Sequence, residues 1–144
     1  PFYRVTVKAL IFDDQRRLLV AKNHKGYYEI PGGGWEYGED YQTCLTREIQ
    51  EELDVEVDSI SMPVCFWGRA HHRWGYHMLR IACVVRLKSH DFTPGDGIIA
   101  AQFMNREEFM QIDLTTYEGN VQQQADTIWN EDVLNQAHTA KKEL

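Results

Sequence analysis

Glu48, Glu51 and Glu52 stand within five consecutive residues. On a helix, side chains three and four apart are neighbours, so these carboxylates crowd together. Like charges at that spacing repel one another unless a positive group offsets them. A hard divalent cation with oxygen ligands would do so, and such a cation most often serves phosphate chemistry. The bland alternative is a solvated charged face. Helical geometry weighs against it: at about 100° per residue, Tyr41, Leu45 and Ile49 form an apolar stripe, and Glu52 falls inside that stripe. Glu48 lies on its shoulder and Glu51 further round, beside Arg47. Burying an unpaired carboxylate is costly, so the placement of Glu52 calls for a reason. Just upstream, Pro31-Gly32-Gly33-Gly34 breaks the preceding strand with a backbone that can approach a ligand closely and expose carbonyls.

The run Gly33-x5-Glu39-x7-Arg47-Glu48-Ile49-Gln50-Glu51-Glu52-Leu53-Asp54-Val55 resembles the box of the Nudix hydrolases (MutT-like), G-x5-E-x7-R-E-U-x-E-E-x-G-U, where U is bulky and aliphatic. Every fixed position agrees except Asp54, where the family has glycine. The flanking strand pattern extends the likeness to most of residues 3–110. The resemblance implies a metal-dependent enzyme that hydrolyses a phosphoanhydride, with Mg²⁺ or Mn²⁺ as cofactor. It implies Glu48 and Glu52 as metal ligands, Glu51 as third ligand or bridge, and a carbonyl of the glycine turn, Gly32 or Gly33, as a further donor. Glu48 and Glu51 are the leading candidates for general base. Arg47 and Glu51 are four apart and can pair, which would hold Glu51 in place, while Glu39 could compete for the same arginine.

The implied substrate is a nucleoside diphosphate linked to another group. Residues 70–73 carry neither the proline associated with ADP-ribose hydrolases nor the tyrosine associated with dinucleoside polyphosphate hydrolases. A nucleoside triphosphate, normal or oxidised, giving a monophosphate and pyrophosphate, is the favoured reading. The alternatives are an ADP-ribose or nucleotide-sugar pyrophosphatase and a Nudix domain kept as a ligand sensor without turnover.

These residues need elements to position them. Tyr3 to Phe12 alternates and is rich in β-branched residues, Asp13 to Arg16 is a turn, and Arg17 to Lys22 is a second strand, so a hairpin is expected. Lys22 ends that strand near the site, where a basic residue can touch phosphate or simply face solvent. Tyr27 to Ile30 is a short strand. Asp40 is placed to cap the box helix, which ends near Asp54. The family glycine would end it in the left-handed conformation, which aspartate tolerates at a cost of ~1 kcal/mol. Val55 to Trp67 is strand broken by Pro63, and Tyr76 to Leu87 is a strand with Ile81, Cys83 and Val85 on one face and Ala82 and Val84 on the other. Between them, Gly68 to Gly75 reads as a loop. Its Arg69, His71, His72, Arg73 and Trp74 are candidates for outer phosphates and base stacking, weighed against an ordinary exposed loop. Thr93 to Gly97 is a turn in which Asp96 is expected to be a turn aspartate. Ile98 to Met104 is a strand, Asn105 caps a helix over Arg106 to Gln111, and Thr115 to Leu144 is predicted helical with Val121, Ala125, Ile128, Trp129 and Val133 on one face.

Strands and helices mix without βαβ regularity, which predicts an α+β mixed fold: a mixed sheet between helical layers, the α/β/α sandwich of the Nudix fold. The 144 residues, 43% hydrophobic, suffice for one domain over 1–144 but not two. The net charge of −7 argues against nucleic acid as a partner, and the resemblance implies a small-molecule nucleotide instead. Nine acids against one base between Glu36 and Asp58 concentrate the charge around the candidate metal site. No apolar run approaches membrane-spanning length and no leader precedes the first strand, so a cytoplasmic location is expected. Pro1 is not a native start. Cys44, Cys65 and Cys83 read as reduced, buried residues. The C-terminal helical stretch is a candidate homodimer interface.

Overall fold

The computed structural model describes residues 2–71, 76–114 and 120–142. Strands β1 (Tyr3–Leu10), β2 (Leu18–Asn23), β3 (Tyr28–Glu29) and β4 (Gly32–Gly34) precede helix α1 (Tyr41–Leu53). Then come β5 (Val57–His71), β6 (Tyr76–Leu87), β7 (Ile98–Met104) and α2 (Arg106–Gln111). A 3-10 turn (Val121–Gln124), α3 (Ala125–Ile128) and α4 (Glu131–Lys142) close the described chain. The strands form a mixed four-stranded sheet in the order β4-β1-β6-β5 and a three-stranded antiparallel sheet in the order β3-β2-β7. Among the described strand pairs, β1 and β6 alone run parallel.

Alternation along the central strands explains the layering. Val7, Ala9 and Ile11 of the first strand segment share a buried cluster with Leu19, Cys83, Val85 and the inner face of α1: Cys44, Leu45, Ile49 and Leu53. Leu10, Phe12, Leu18, Val20, Ala82 and Val84 point the other way, into a cluster closed by Phe109, Val121, Ile128, Val133 and Leu134. The sheets therefore have α1 on one side and the later helices on the other, as the sandwich pattern requires. The predicted faces of β6 are those observed.

Four local expectations change. The β1–β2 hairpin does not form: both edges of β1 are taken, by β4 and β6, so β2 pairs with β3 and β7 instead. The two segments meet at the turn, through the isolated bridge between Phe12 and Leu18, the Leu19 amide on the Ile11 carbonyl at 2.8 Å and the Asp13 amide on the Arg17 carbonyl at 3.0 Å. The strand before Pro31 does end there, but the glycines go on to make β4, with Gly32, Gly33 and Gly34 opposite Lys8, Val7 and Thr6. Pro63 does not divide β5; register shifts on either side of it absorb the missing donor as bulges. The C-terminal stretch is not one helix. Asn130 interrupts it, its side chain accepting from the Val133 amide at 2.9 Å to start α4.

Candidate active site

The site begins with how α1 is started and stopped. Asp40 caps it, its carboxylate accepting from the Thr43 amide at 2.7 Å. Asp54 ends it in the left-handed region, φ 55° and ψ 45°, with its amide bonded to the Gln50 carbonyl, as expected for the box glycine position. The chain before the helix is tied down as well. The Trp35 indole donates to the Glu39 carbonyl at 2.7 Å, and the Glu39 carboxylate accepts from the Glu36 amide at 2.9 Å.

Arg47 joins this loop to the helix. Its Nη2 donates to Glu39 Oε1 at 2.7 Å and its Nε lies 3.3 Å from Glu39 Oε2. Its Nη1 donates to Glu48 Oε1 at 2.9 Å and sits 3.7 Å from Glu51 Oε2. Glu39 thus takes the closer pairing, and the expected Arg47–Glu51 bridge is the longer contact. Arg47 holds the Glu39 carboxyl below its usual range. Burial pushes Glu48 up, against the pull of Arg47, and the charges of Glu51 and Asp96 push it further.

Gly33 explains why Glu48 can lie where it does. A Cβ at residue 33 would fall 2.4 Å from the Glu48 carboxyl carbon, so the carboxylate occupies the space that any side chain would fill. The Gly33 carbonyl has the Cys44 thiol 3.9 Å away.

Glu48 and Glu51 converge with a residue from a different part of the chain. Oxygens of Glu48, Glu51 and Asp96 all lie within 4.8 Å of one another. Asp96 stands in a turn at φ 53°, so the turn reading holds, but the turn is docked against the helix end. The Gly95 amide donates to the Glu52 carbonyl at 2.9 Å and the Thr93 amide to the Leu53 carbonyl at 3.0 Å. Sequence reasoning named Asp96 only as the nearest downstream acid. No spacing rule ties it to the box, because the docking that brings it in is tertiary.

Glu52 is buried, 4% exposed, at the place in the apolar stripe that its spacing predicts. It lies outside the Glu48–Glu51–Asp96 group and faces the sheet, where the Gly32 amide donates to its Oε1 at 3.3 Å. Burial raises its pKa to about 8, with Lys8 pulling down and Glu29 and Glu48 pushing up. Lys8, 6% exposed, donates to the Ile30 carbonyl at 3.0 Å. It was not singled out from sequence, where it alternates with Arg4 and Thr6 along β1.

The remaining candidates are dispersed. The Lys22 ammonium lies 5.6 Å from the centroid of the Tyr28 ring. Arg69 and His71 fall on β5, opposite Met78 and Tyr76, so the expected loop is strand as far as residue 71. The pairing of β5 with β6 carries on past the Gly68 expected to end it. His72, Arg73 and Trp74 lie outside the described residues.

The donor set suits a hard divalent cation. Three carboxylates converge, and the arginine among them is already engaged by Glu39 and Glu48. Oxygen donors at this density are those that Mg²⁺ or Mn²⁺ prefers.

The family model of the NUDIX domain matches residues 2–124, and the chain belongs to the Nudix hydrolase family. Over 61 residues it is 34% identical to the RNA pyrophosphohydrolase of Ruthia magnifica, an alignment covering 42% of this chain and 34% of that protein. The chain thus matches about a third of that relative's length. Its fold is similar to that of a NUDIX hydrolase from Nitrosomonas europaea, with TM-score 0.71 and 20% identity over 89% of this chain and 88% of that one. It is also similar to an ADP-ribose pyrophosphatase from Streptococcus suis, with TM-score 0.65 and 19% identity over 89% and 93% of the two chains. At these identities the structural likeness concerns the fold. Among the described residues, no helix is long and apolar enough to cross a membrane.

Proposed function

We propose that this chain hydrolyses a phosphoanhydride bond in a nucleoside diphosphate linked to another group, with Mg²⁺ or Mn²⁺ as cofactor. The observation that carries this reading is the convergence of Glu48, Glu51 and Asp96 beside the Gly33 backbone. A divalent cation bound there would neutralise diphosphate oxygens and polarise the anhydride. Glu48, Glu51 and Glu52 of α1, with Asp96, are the residues that would hold it, and the Gly33 carbonyl would be a further donor.

The chain's own residues do the rest. Arg47 fixes Glu48 against rotation and ties it to the Glu39 loop, so the carboxylate is pre-oriented before substrate arrives. Glu51, exposed and only loosely held by Arg47, is free to turn toward a water molecule. Glu48 or Glu51 takes the proton as the water oxygen bonds to phosphorus and the anhydride oxygen departs with the bond electrons. Lys22, together with Arg69 and His71 of β5 and with Arg73 and Trp74, supplies the substrate contacts in this reading.

The favoured substrates are nucleoside triphosphates, normal or oxidised, cleaved to monophosphate and pyrophosphate. ADP-ribose and nucleotide sugars are the alternative class, and a sensor without turnover is the third reading. The test is product release from a panel of nucleoside triphosphates, ADP-ribose and nucleotide sugars with Mg²⁺ or Mn²⁺, run beside Glu48→Gln. Turnover of one class, reduced by about a hundredfold or more in the variant, supports the hydrolase reading and names the substrate. No turnover, with a nucleotide still raising the melting temperature, replaces it with the sensor.

A further inference from the structure

A cavity of about 520 Å³ opens where β6 ends, between the turn that follows β1 and helix α4. It shares no residue with the group formed by Glu48, Glu51 and Asp96. Phe12 and Ala137 give it an apolar wall, and Arg86, Lys88, His90 and His138 bring nitrogen donors to it. Its volume is that of a small-molecule site rather than of a single water.

Arg86 is the group in this wall whose hydrogen-bonding capacity is not used up. Val84 faces the cluster under the later helices, so Arg86, two residues on along the strand, faces the same way. Its Nε donates to Ser59 Oγ on β5 at 2.7 Å, which fixes the guanidinium. Among the described residues Nη1 is buried without a hydrogen-bond partner, and Nη2 has the Asp58 carboxylate only at 4.0 Å. Leaving a charged donor buried and unpaired is costly. An open Nη1–Nη2 edge is a fork that grips two oxygens of one oxyanion. Three acids line the same cavity, none of them hydrogen-bonded to Nη1. Asp13 is engaged by Arg17 Nε at 2.6 Å and by the Gln15 and Arg17 amides. Asp14 stands exposed on the turn, and Asp58 is half-exposed.

We propose that this cavity is a binding site for an organic phosphate monoester, separate from the candidate active site, with the phosphate on the Nη1–Nη2 edge of Arg86. A carboxylate has two oxygens, and the arginine fork alone would use both. A phosphate has a third terminal oxygen, for which Lys88 and His90 stand on the stretch of chain just beyond Arg86. Lys88 is paired with Glu56 at 3.1 Å, but both are exposed, and such a pair costs little to open. The apolar wall and the volume beyond one oxyanion accommodate the organic group. Binding here needs no divalent cation, so it stands or falls independently of the hydrolase reading.

The experiment is an amide NMR titration of the full chain with phenyl phosphate, inorganic phosphate and benzoate, in EDTA so that no divalent cation takes part. Phenyl phosphate is expected to shift the amides of residues 86–90 and 137–138 and to leave those of Glu48, Glu51 and Asp96 in place. It is expected to bind several-fold more tightly than inorganic phosphate or benzoate. Arg86→Gln is expected to weaken it by about tenfold or more. Asp58→Asn is expected to tighten it by about two- to fivefold, because a competing carboxylate is removed. Glu48→Gln is expected to leave it unchanged.

An absence of amide shifts up to about 10 mM phenyl phosphate overturns the proposal and leaves Arg86 a structural residue completed by water. Shifts confined to α1 and the turn at residues 93–97 overturn it too, as does benzoate binding as tightly as phenyl phosphate. Melting temperatures are recorded for each variant. If Arg86→Gln does not fold, Lys88→Gln at an exposed position takes its place. It is expected to weaken phenyl phosphate by about threefold, and an unchanged affinity there overturns the phosphate assignment.

Discussion

The guanidinium of Arg47 holds two glutamates at once, Glu39 at 2.7 Å through Nη2 and Glu48 at 2.9 Å through Nη1. That fork is a property of arginine; a lysine ammonium is a single point charge and cannot span both carboxylates. Arg47→Lys is therefore expected to destabilise the protein by about 1–2 kcal/mol, discounted for partial exposure of the pair, and to lower turnover further than stability alone would. Thermal melts and rates under saturating cation would check both. The cysteines make a different prediction. Burial pushes Cys44 and Cys83 up to about 12 and Cys65 to about 11, so almost no thiolate is present near neutrality. Ellman's reagent at pH 8 is expected to modify native protein about a hundredfold more slowly than a free cysteine, and denatured protein at the ordinary rate. Rapid labelling of the native chain would show that a thiol is more open than its burial indicates.

Elements carry the site by their ends and edges. Helix α1 stops at Asp54 in the left-handed conformation, where glycine has no steric penalty. Asp54→Gly is expected to raise stability by up to ~1 kcal/mol, partly offset by losing the exposed hydrogen bond from Gln50 at 2.6 Å. A fall in melting temperature would mean that this helix end is held by the aspartate side chain rather than strained by it. Strand β4 separates two kinds of glycine. Gly32 has φ +134°, and a Cβ there would lie 2.1 Å from the Val7 carbonyl oxygen, so Gly32→Ala should impair folding itself. At Gly33 the clash is with the Glu48 carboxylate, a side chain that can turn away. Gly33→Ala should therefore keep a near-native melt yet lose most cation binding, a contrast that a melting curve and a Mn²⁺ titration would show together.

At the scale of the whole molecule, the cation site is assembled from α1, the edge strand β4 and the turn before β7, elements that belong to different layers. A cation that bridges them should stabilise the fold as a unit. Mg²⁺ at about a hundred times its Kd is expected to add ~2.7 kcal/mol, or roughly 5–10 °C of melting temperature, which an equal ionic strength of KCl would not reproduce. Several features follow from local chain physics and were legible in the sequence alone. These are the box helix with its cap and left-handed end, the burial of Glu52 in the apolar stripe, the two faces of β6, and the mixed sheet between helices. Each depends on period and on residues a few positions apart. Pairing partners did not follow from it. Whether β2 joins β1 or β7 depends on which edges are already taken, and a strand's own residues carry no record of that. Asp96 reaches Glu48 and Glu51 only because the turn at residues 93–97 docks on the end of α1. Local spacing determined which residues could do the chemistry. Long-range packing, whose loop-closure terms are nearly blind to sequence, decided which of them stand together.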